Sequence, residues 1–194
     1  SESDACELVP MGHAFVRVGD SDAAAALGRA IRSRDVKCFD AYALEITSAY
    51  HAGERQAVAN AFYEARGRFE GEPKLDDLQV IALRATGQWR AAKYVLDQKL
   101  SDKRVKPEDL AMMARVLTHE PLKSEALIAL KARLDVTPND PTARFFLGVL
   151  LHLDKDYSGS YALLSEAAKA APGKTAYLHI VQALNALSLG DPGA

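Results

Sequence analysis

Along this chain, large apolar residues recur three and four apart in runs of about twelve, and short polar turns separate the runs. The segment 141–174 is the clearest case. Its first predicted helix carries Phe145, Leu147, Gly148 and Leu151; the turn is Asp154-Lys155-Asp156; the second helix carries Ser160, Leu163, Leu164, Ala167 and Ala168. Each helix thus has one buried stripe. Gly148 and Ser160 lack bulky side chains and fall where the two helices can approach closely. Pro172 has no amide to continue a helix and Gly173 accepts a left-handed cap, so the second helix is expected to stop there. Two helices of this length cannot bury their stripes alone, which implies neighbours of the same kind.

Steps of 34 residues back from Lys155 reach Pro121, Gly87, Gly53 and Gly19, which apart from Lys155 are turn-forming types. Similar steps from Leu151 reach Leu117, Leu83, Ala49 and Phe15, and from Leu164 they reach Leu130, Leu96, Phe62 and Gly28. The turn strings Gly19-Asp20-Ser21-Asp22, Gly53-Glu54-Arg55-Gln56 and Gly87-Gln88-Trp89-Arg90 resemble one another. The period divides the chain into repeats at 5–38, 39–72, 73–106, 107–140 and 141–174.

This pattern resembles the tetratricopeptide repeat family. Leu147, Gly148, Leu151, Tyr157, Leu164, Ala167 and Pro172 occupy the family's positions in the last repeat, and Leu8, Met11, Gly12, Phe15, Gly19 and Ala24 occupy them in the first. In 107–140 the match is Leu110, Met113, Ala114, Leu117, Ala126, Leu130 and Pro138. Glu45, Asp76 and Gln79 stand where apolar residues are expected, which points to first helices shifted by a residue. The resemblance implies an all-α fold: a right-handed superhelical stack of antiparallel helix pairs, an α-solenoid forming a single domain over 1–194. The segment 175–189 reads either as a helix capping the stack or as the start of a sixth repeat.

The resemblance also implies a concave groove lined by first-helix residues. On the 34-residue register the lining includes Val9, Arg17, Tyr50, Met112, Arg115, Phe145, Phe146, Val149, His152 and Leu153. Phe145, Phe146 and Val149 make the C-terminal end the more apolar, fit for a protein or peptide partner unless the last helix folds over them. The carboxylate clamp of some co-chaperone members is not expected, because Asp40, Asp77 and Glu108 occupy groove positions. His13, His51, His119 and His152 fall on groove positions too, but on successive repeats too far apart for one metal site. Trp89, the single tryptophan, sits in a turn where the family often places a packing aromatic.

The two cysteines sit near the start of the first repeat and just after its second helix. Antiparallel helices bring those ends together, so Cys6 and Cys38 can form a disulfide, with an oxidising compartment such as a bacterial periplasm as its setting. The alternative is two unrelated thiols in a cytoplasmic protein. The chain begins at Ser1 without an initiator methionine, as expected of a processed or trimmed start from which an export signal has been removed.

Composition narrows the function further. With 48% hydrophobic and 26% charged residues the chain matches an ordinary folded protein, and a net charge of −2 offers no basic field for nucleic acid. No apolar run reaches the roughly 18–20 residues that insert across a bilayer. There is no phosphate-binding glycine loop, Gly-x-Ser-x-Gly elbow or His-Glu-x-x-His, so no enzyme, cofactor or metal is expected. The leading expectation is a non-catalytic scaffold for a protein or peptide partner, in bacterial envelope assembly or secretion as the resemblance implies. The alternative is a self-assembly module that forms a homo-oligomer through its terminal helix.

Overall fold

The computed structural model describes residues 3–101 and 107–170, all of whose regular structure is α-helical. A short helix α1 (Ser3–Cys6) precedes α2 (Val9–Arg17), α3 (Ser21–Arg34), α4 (Phe39–Ala52), α5 (Arg55–Arg68), α6 (Leu75–Ala85) and α7 (Trp89–Ser101). After them come α8 (Pro107–Leu117), α9 (Leu122–Val136), α10 (Pro141–Leu153) and α11 (Tyr157–Ala170). The expected stop at Pro172-Gly173 and the terminal helix 175–189 lie outside the described residues. Among the described residues no helix is long and apolar enough to cross a membrane.

The 34-residue register has a physical cause. Gly19, Gly53, Gly87 and Lys155 all have left-handed backbones, with φ of 83°, 79°, 73° and 65°. Behind each, the next amide reaches back five residues: Asp20 to Phe15 (3.0 Å), Glu54 to Ala49 (2.9 Å), Gln88 to Leu83 (2.8 Å) and Asp156 to Leu151 (2.9 Å). This six-to-one bond closes a Schellman cap and turns the chain straight into the next helix. Pro121 breaks the series. Its ring fixes φ at −86°, so it begins α9 instead of occupying a left-handed cap.

The chain divides into two compact units, Ser1–Val95 and Leu96–Ala194, with the boundary inside α7. In the first unit α4 is central and packs against α2, α3, α5 and α6. The core here is Ala25, Tyr42, Ile46, Ala49, Val58, Ala61, Phe62, Ala65, Leu78, Ala82 and Ala85. Alanines dominate it, so helices lie close and larger rings fill the remaining gaps. A smaller cluster of Ala5, Val9, Ile31, Cys38 and Ala41 seals the N-terminal end.

α4 begins at Phe39, where the second repeat begins on the 34-residue register. Glu45 is nevertheless buried, with only 2% of its surface exposed. The apolar position is filled by an ion pair: Arg32 Nε on α3 donates to Glu45 at 2.7 Å. Arg32 also donates to Glu64 of α5, which accepts from the Tyr42 hydroxyl (3.1 Å) and from Arg68 (3.3 Å). Burial pushes the Glu45 carboxyl above its ordinary value, against the lowering by the bond and charge of Arg32. In α6 the buried stripe is Leu78, Val80, Ala82, Arg84 and Ala85, so Asp76 is exposed and Gln79 half-buried.

In the second unit α10 packs against α8, α9 and α11. Asp140 caps α10 by accepting from the amides of Thr142 (2.9 Å) and Ala143 (3.0 Å), and Pro141 sits in the first turn, where a missing amide costs nothing. At the α10–α11 crossing the Ser160 hydroxyl donates to the Gly148 carbonyl at 2.7 Å, and both residues are buried.

Candidate functional site: first-helix ends and a cationic aromatic cleft

The expected groove residues separate into accessible and inaccessible ones. In the second unit Phe145 and Phe146 are each 4% exposed, with ring centroids 5.1 Å apart, so they serve the core rather than an open surface. Val149 and His152 are half-buried and Leu153 is 48% exposed. The His152 ring lies 5.3 Å from that of Tyr157. Met112 is half-buried and Arg115 is exposed on α8. What this unit presents is therefore the C-terminal ends of α8 and α10. In the first unit Val9 is buried, Arg17, His13 and His51 are exposed, and Tyr50 is half-buried near the end of α4.

Tyr50 borders a cavity of about 570 Å³ within the first unit. Tyr50, His51 and Gly53 come from the end of α4 and its turn, and Arg55 from the start of α5. Arg84, Ala85, Thr86, Gly87 and Trp89 come from the equivalent end of α6, its turn and the start of α7. The Schellman caps hold both turns, so the two sides of the cleft repeat one another 34 residues apart. Tyr50 and Arg84 occupy the same register position. The Arg84 guanidinium sits 4.9 Å from the centre of the Tyr50 ring, a cation–π contact. The residue is 9% exposed, unusual for an arginine.

Sequence reasoning included Tyr50 and treated Trp89 as packing, but it missed Arg84. The signal was available, because a 34-residue step from Tyr50 lands on Arg84.

Cys6 and Cys38 are joined in a disulfide, with Cα atoms 5.7 Å apart. The bridge ties α1 to the residue that precedes α4, alongside Val9, Ile31 and Ala41. It closes a loop across a sequence separation of 32, for which chain entropy gives about 3–4 kcal/mol of stabilisation. Among the described residues, Cys6, Asp35 and Cys38 are the one metal-capable trio, and both of its sulfurs are committed to the disulfide.

These features define an all-α solenoid of the tetratricopeptide type. No family model and no curated protein matches the sequence. Solved structures do match. PilF of Pseudomonas aeruginosa is 15% identical, with 100% of this chain and 95% of that one covered, at a TM-score of 0.56. The MamA RS-1 ArsTM double mutant is 12% identical over 90% of this chain and 98% of its own, at 0.54. YrrB, a TPR protein with an unusual peptide-binding site, is 17% identical over 90% of each chain, at 0.48. The likeness to the first two establishes the fold.

Proposed function

We propose that this protein is a non-catalytic scaffold that holds a partner protein or peptide along the ends of its first helices. The reading rests on one observation. In the second unit the side chains at the ends of α8 and α10 stay accessible as Arg115 and Leu153, while Phe145 and Phe146, nearer the start of α10, are buried. Neighbouring first helices with such ends offer more than one anchor point to an extended ligand. The disulfide supports an extracytoplasmic setting, since such bridges persist where thiols are not kept reduced. An envelope assembly or secretion role in a bacterium fits that setting.

Site-specific photocrosslinking in the native host tests the placement. A crosslinker at Leu153 or Arg115 is expected to capture the same partner, whereas one at Tyr63, 66% exposed on the second helix of its pair, captures none. Adducts at Tyr63 alone would move binding off the first-helix ends. The compartment is tested separately by alkylating thiols at the moment of lysis. Blocked Cys6 and Cys38 are expected, and two reactive thiols would refute the assignment.

A further inference from the structure

The cleft between the α4–α5 and α6–α7 turns has chemistry of its own. Its lining contains Arg55, Arg84 and His51, two aromatic rings and the Thr86 hydroxyl, but no aspartate or glutamate. In a chain of net charge −2, that local excess of cations is not the general character of the surface. Glu54, the N-cap residue of α5, is engaged with Arg29 at 3.0 Å. A second cavity of the same unit shows the contrast: Arg66 there shares the lining with Glu70, Glu72 and Asp76.

The backbone contributes in the same direction. α5 and α7 both begin at the cleft, at Arg55 and Trp89, and neither has an acidic residue in its first turn. Helix starts carry partial positive charge and are ordinarily complemented by an acidic side chain. In this unit α3, α4 and α6 have one, in Asp22, Asp40 and the pair Asp76 and Asp77, whereas α2 has none and α5 has only its N-cap residue Glu54, whose side chain does not cap it. Arg84 is held against Tyr50, so its planar donor fork does not have to be ordered when a ligand arrives. The volume, about 570 Å³, leaves room for an acidic side chain together with the stretch of peptide that carries it.

We propose that this cleft is an oxyanion pocket that takes an acidic or phosphorylated side chain from within a partner peptide. Arg84 and Arg55 pair with the oxygens, and Tyr50 and Trp89 form the walls. This deepens the scaffold reading and rests on it.

Trp89 is the single tryptophan of the chain, so its emission reports on the pocket directly. The folded, oxidised protein is titrated with three blocked peptides lacking free termini: hexaglutamate, hexaserine, and hexaserine with one central phosphoserine. A saturable change in emission is expected with hexaglutamate, with the phosphopeptide, or with both, and none with hexaserine. A response to hexaglutamate alone assigns carboxylate, and one to the phosphopeptide alone assigns phosphate. Arg84→Gln is expected to weaken binding about ten-fold or more, the usual effect of losing a charged hydrogen bond. Because Arg84 is buried, exposed Arg55→Gln provides the second reading: an unchanged melt and affinity lower by about three-fold. Hexaserine binding as tightly as the charged peptides would overturn the proposal. So would full affinity in both arginine variants, or an emission that no peptide moves. Crosslinks at Leu153 with an inert pocket would leave the scaffold standing without its anion site. Peptide binding in the cleft with no crosslinked partner would undercut the scaffold instead.

Discussion

The α3–α4 contact of the first unit and the α10–α11 contact of the second are the most extensive helix pairings among the described residues. Both use a glycine to let helices approach, yet what lies opposite differs. A Cβ on Gly28 would stand 2.8 Å from the backbone nitrogen of Glu45 and 3.0 Å from its Cα. A Cβ on Gly148 would meet the Leu164 side chain at 2.8 and 3.0 Å, and backbone only at 3.3 Å, at the Ser160 carbonyl. The first contact is helix backbone against side-chain-free helix, with the Arg32–Glu45 pair beside it. The second is a glycine notch filled by leucine and a hydroxyl bond. An interface that closes on backbone has no soft part, so it tolerates less change than one that closes on a side chain.

The sharpest way to break the first contact is to unpair its charge. Glu45→Ala is expected to cost about 3 kcal/mol, the low end for removing one partner of a buried pair, because Arg32 keeps Glu64 and some solvent. Replacing both partners, Arg32→Met with Glu45→Leu, should recover most of that loss, since an apolar pair fits a buried site at least as well. Urea unfolding monitored at Trp89 measures both. A double variant as unstable as Glu45→Ala would show that the pair is not what fills the site. The glycines come next. Gly28→Ala should cost about 2 kcal/mol, and Gly148→Ala less than about 1 kcal/mol, because alanine's better helix propensity offsets part of the crowding and Leu164 can shift where backbone cannot. Equal losses in the two variants would contradict the distinction drawn between the contacts.

Acid separates the regions again. Burial raises the Asp140 carboxyl, but the Ala143 and Thr142 amides and Arg133 outweigh it and hold it below its ordinary value. A carboxylate held low in the folded state stabilises above its unfolded pKa, about 3.9, and that contribution is lost as pH falls below it. Glu45 is held high, so the fold binds its proton more tightly than the unfolded chain. Its contribution therefore improves on acidification and falls as pH rises from about 4.3 through the raised value. Hydrogen exchange should show protection in the first turn of α10 dropping below about pH 4, with less change in the centre of α4. Asp140→Ala, which removes the cap, should cost about 1 kcal/mol at neutral pH and flatten the acid response of α10. An unaltered response in that variant would assign the acid sensitivity elsewhere.

The parts of the fold that were legible in the sequence are those with a local backbone cause. Gly19, Gly53 and Gly87 could be read because a left-handed cap selects glycine wherever it occurs. Pro121 reads as a turn as well, but for the opposite reason, and the sequence pattern alone does not distinguish the two. Glu45 suggested a shifted helix because its partner, Arg32, lies on the preceding helix and is visible only once both are packed. Phe145 and Phe146 fall on groove positions by register, yet α10 is so apolar that four consecutive residues, Phe145 to Gly148, are buried. Arg84 stayed hidden because a lone arginine in a helix reads as surface, and burial beside Tyr50 has no local signature.

The smallest effect tests the register itself. Lys155 is the one described non-glycine residue with positive φ, at the position that carries glycine in each of the first three turns. Left-handed backbone costs an L-residue about 1–2 kcal/mol, because its Cβ crowds the carbonyl. Lys155 is exposed and on the turn, so Lys155→Gly removes that strain without opening a cavity. Against this, glycine loses more freedom on folding, by about 0.5–1 kcal/mol. The balance leaves a gain of about 0.5 kcal/mol, read as a rise in urea midpoint at unchanged slope. The reciprocal change, Gly87→Ala in the first unit, meets only Trp89 Nε1 at 4.0 Å, so crowding adds nothing and backbone strain alone sets its loss at about 1 kcal/mol. Opposite signs at these two positions would mean that the Schellman caps set the 34-residue period. A destabilised Lys155→Gly would instead show that the lysine side chain holds that turn, and that the last hairpin keeps register by a different device from the first three.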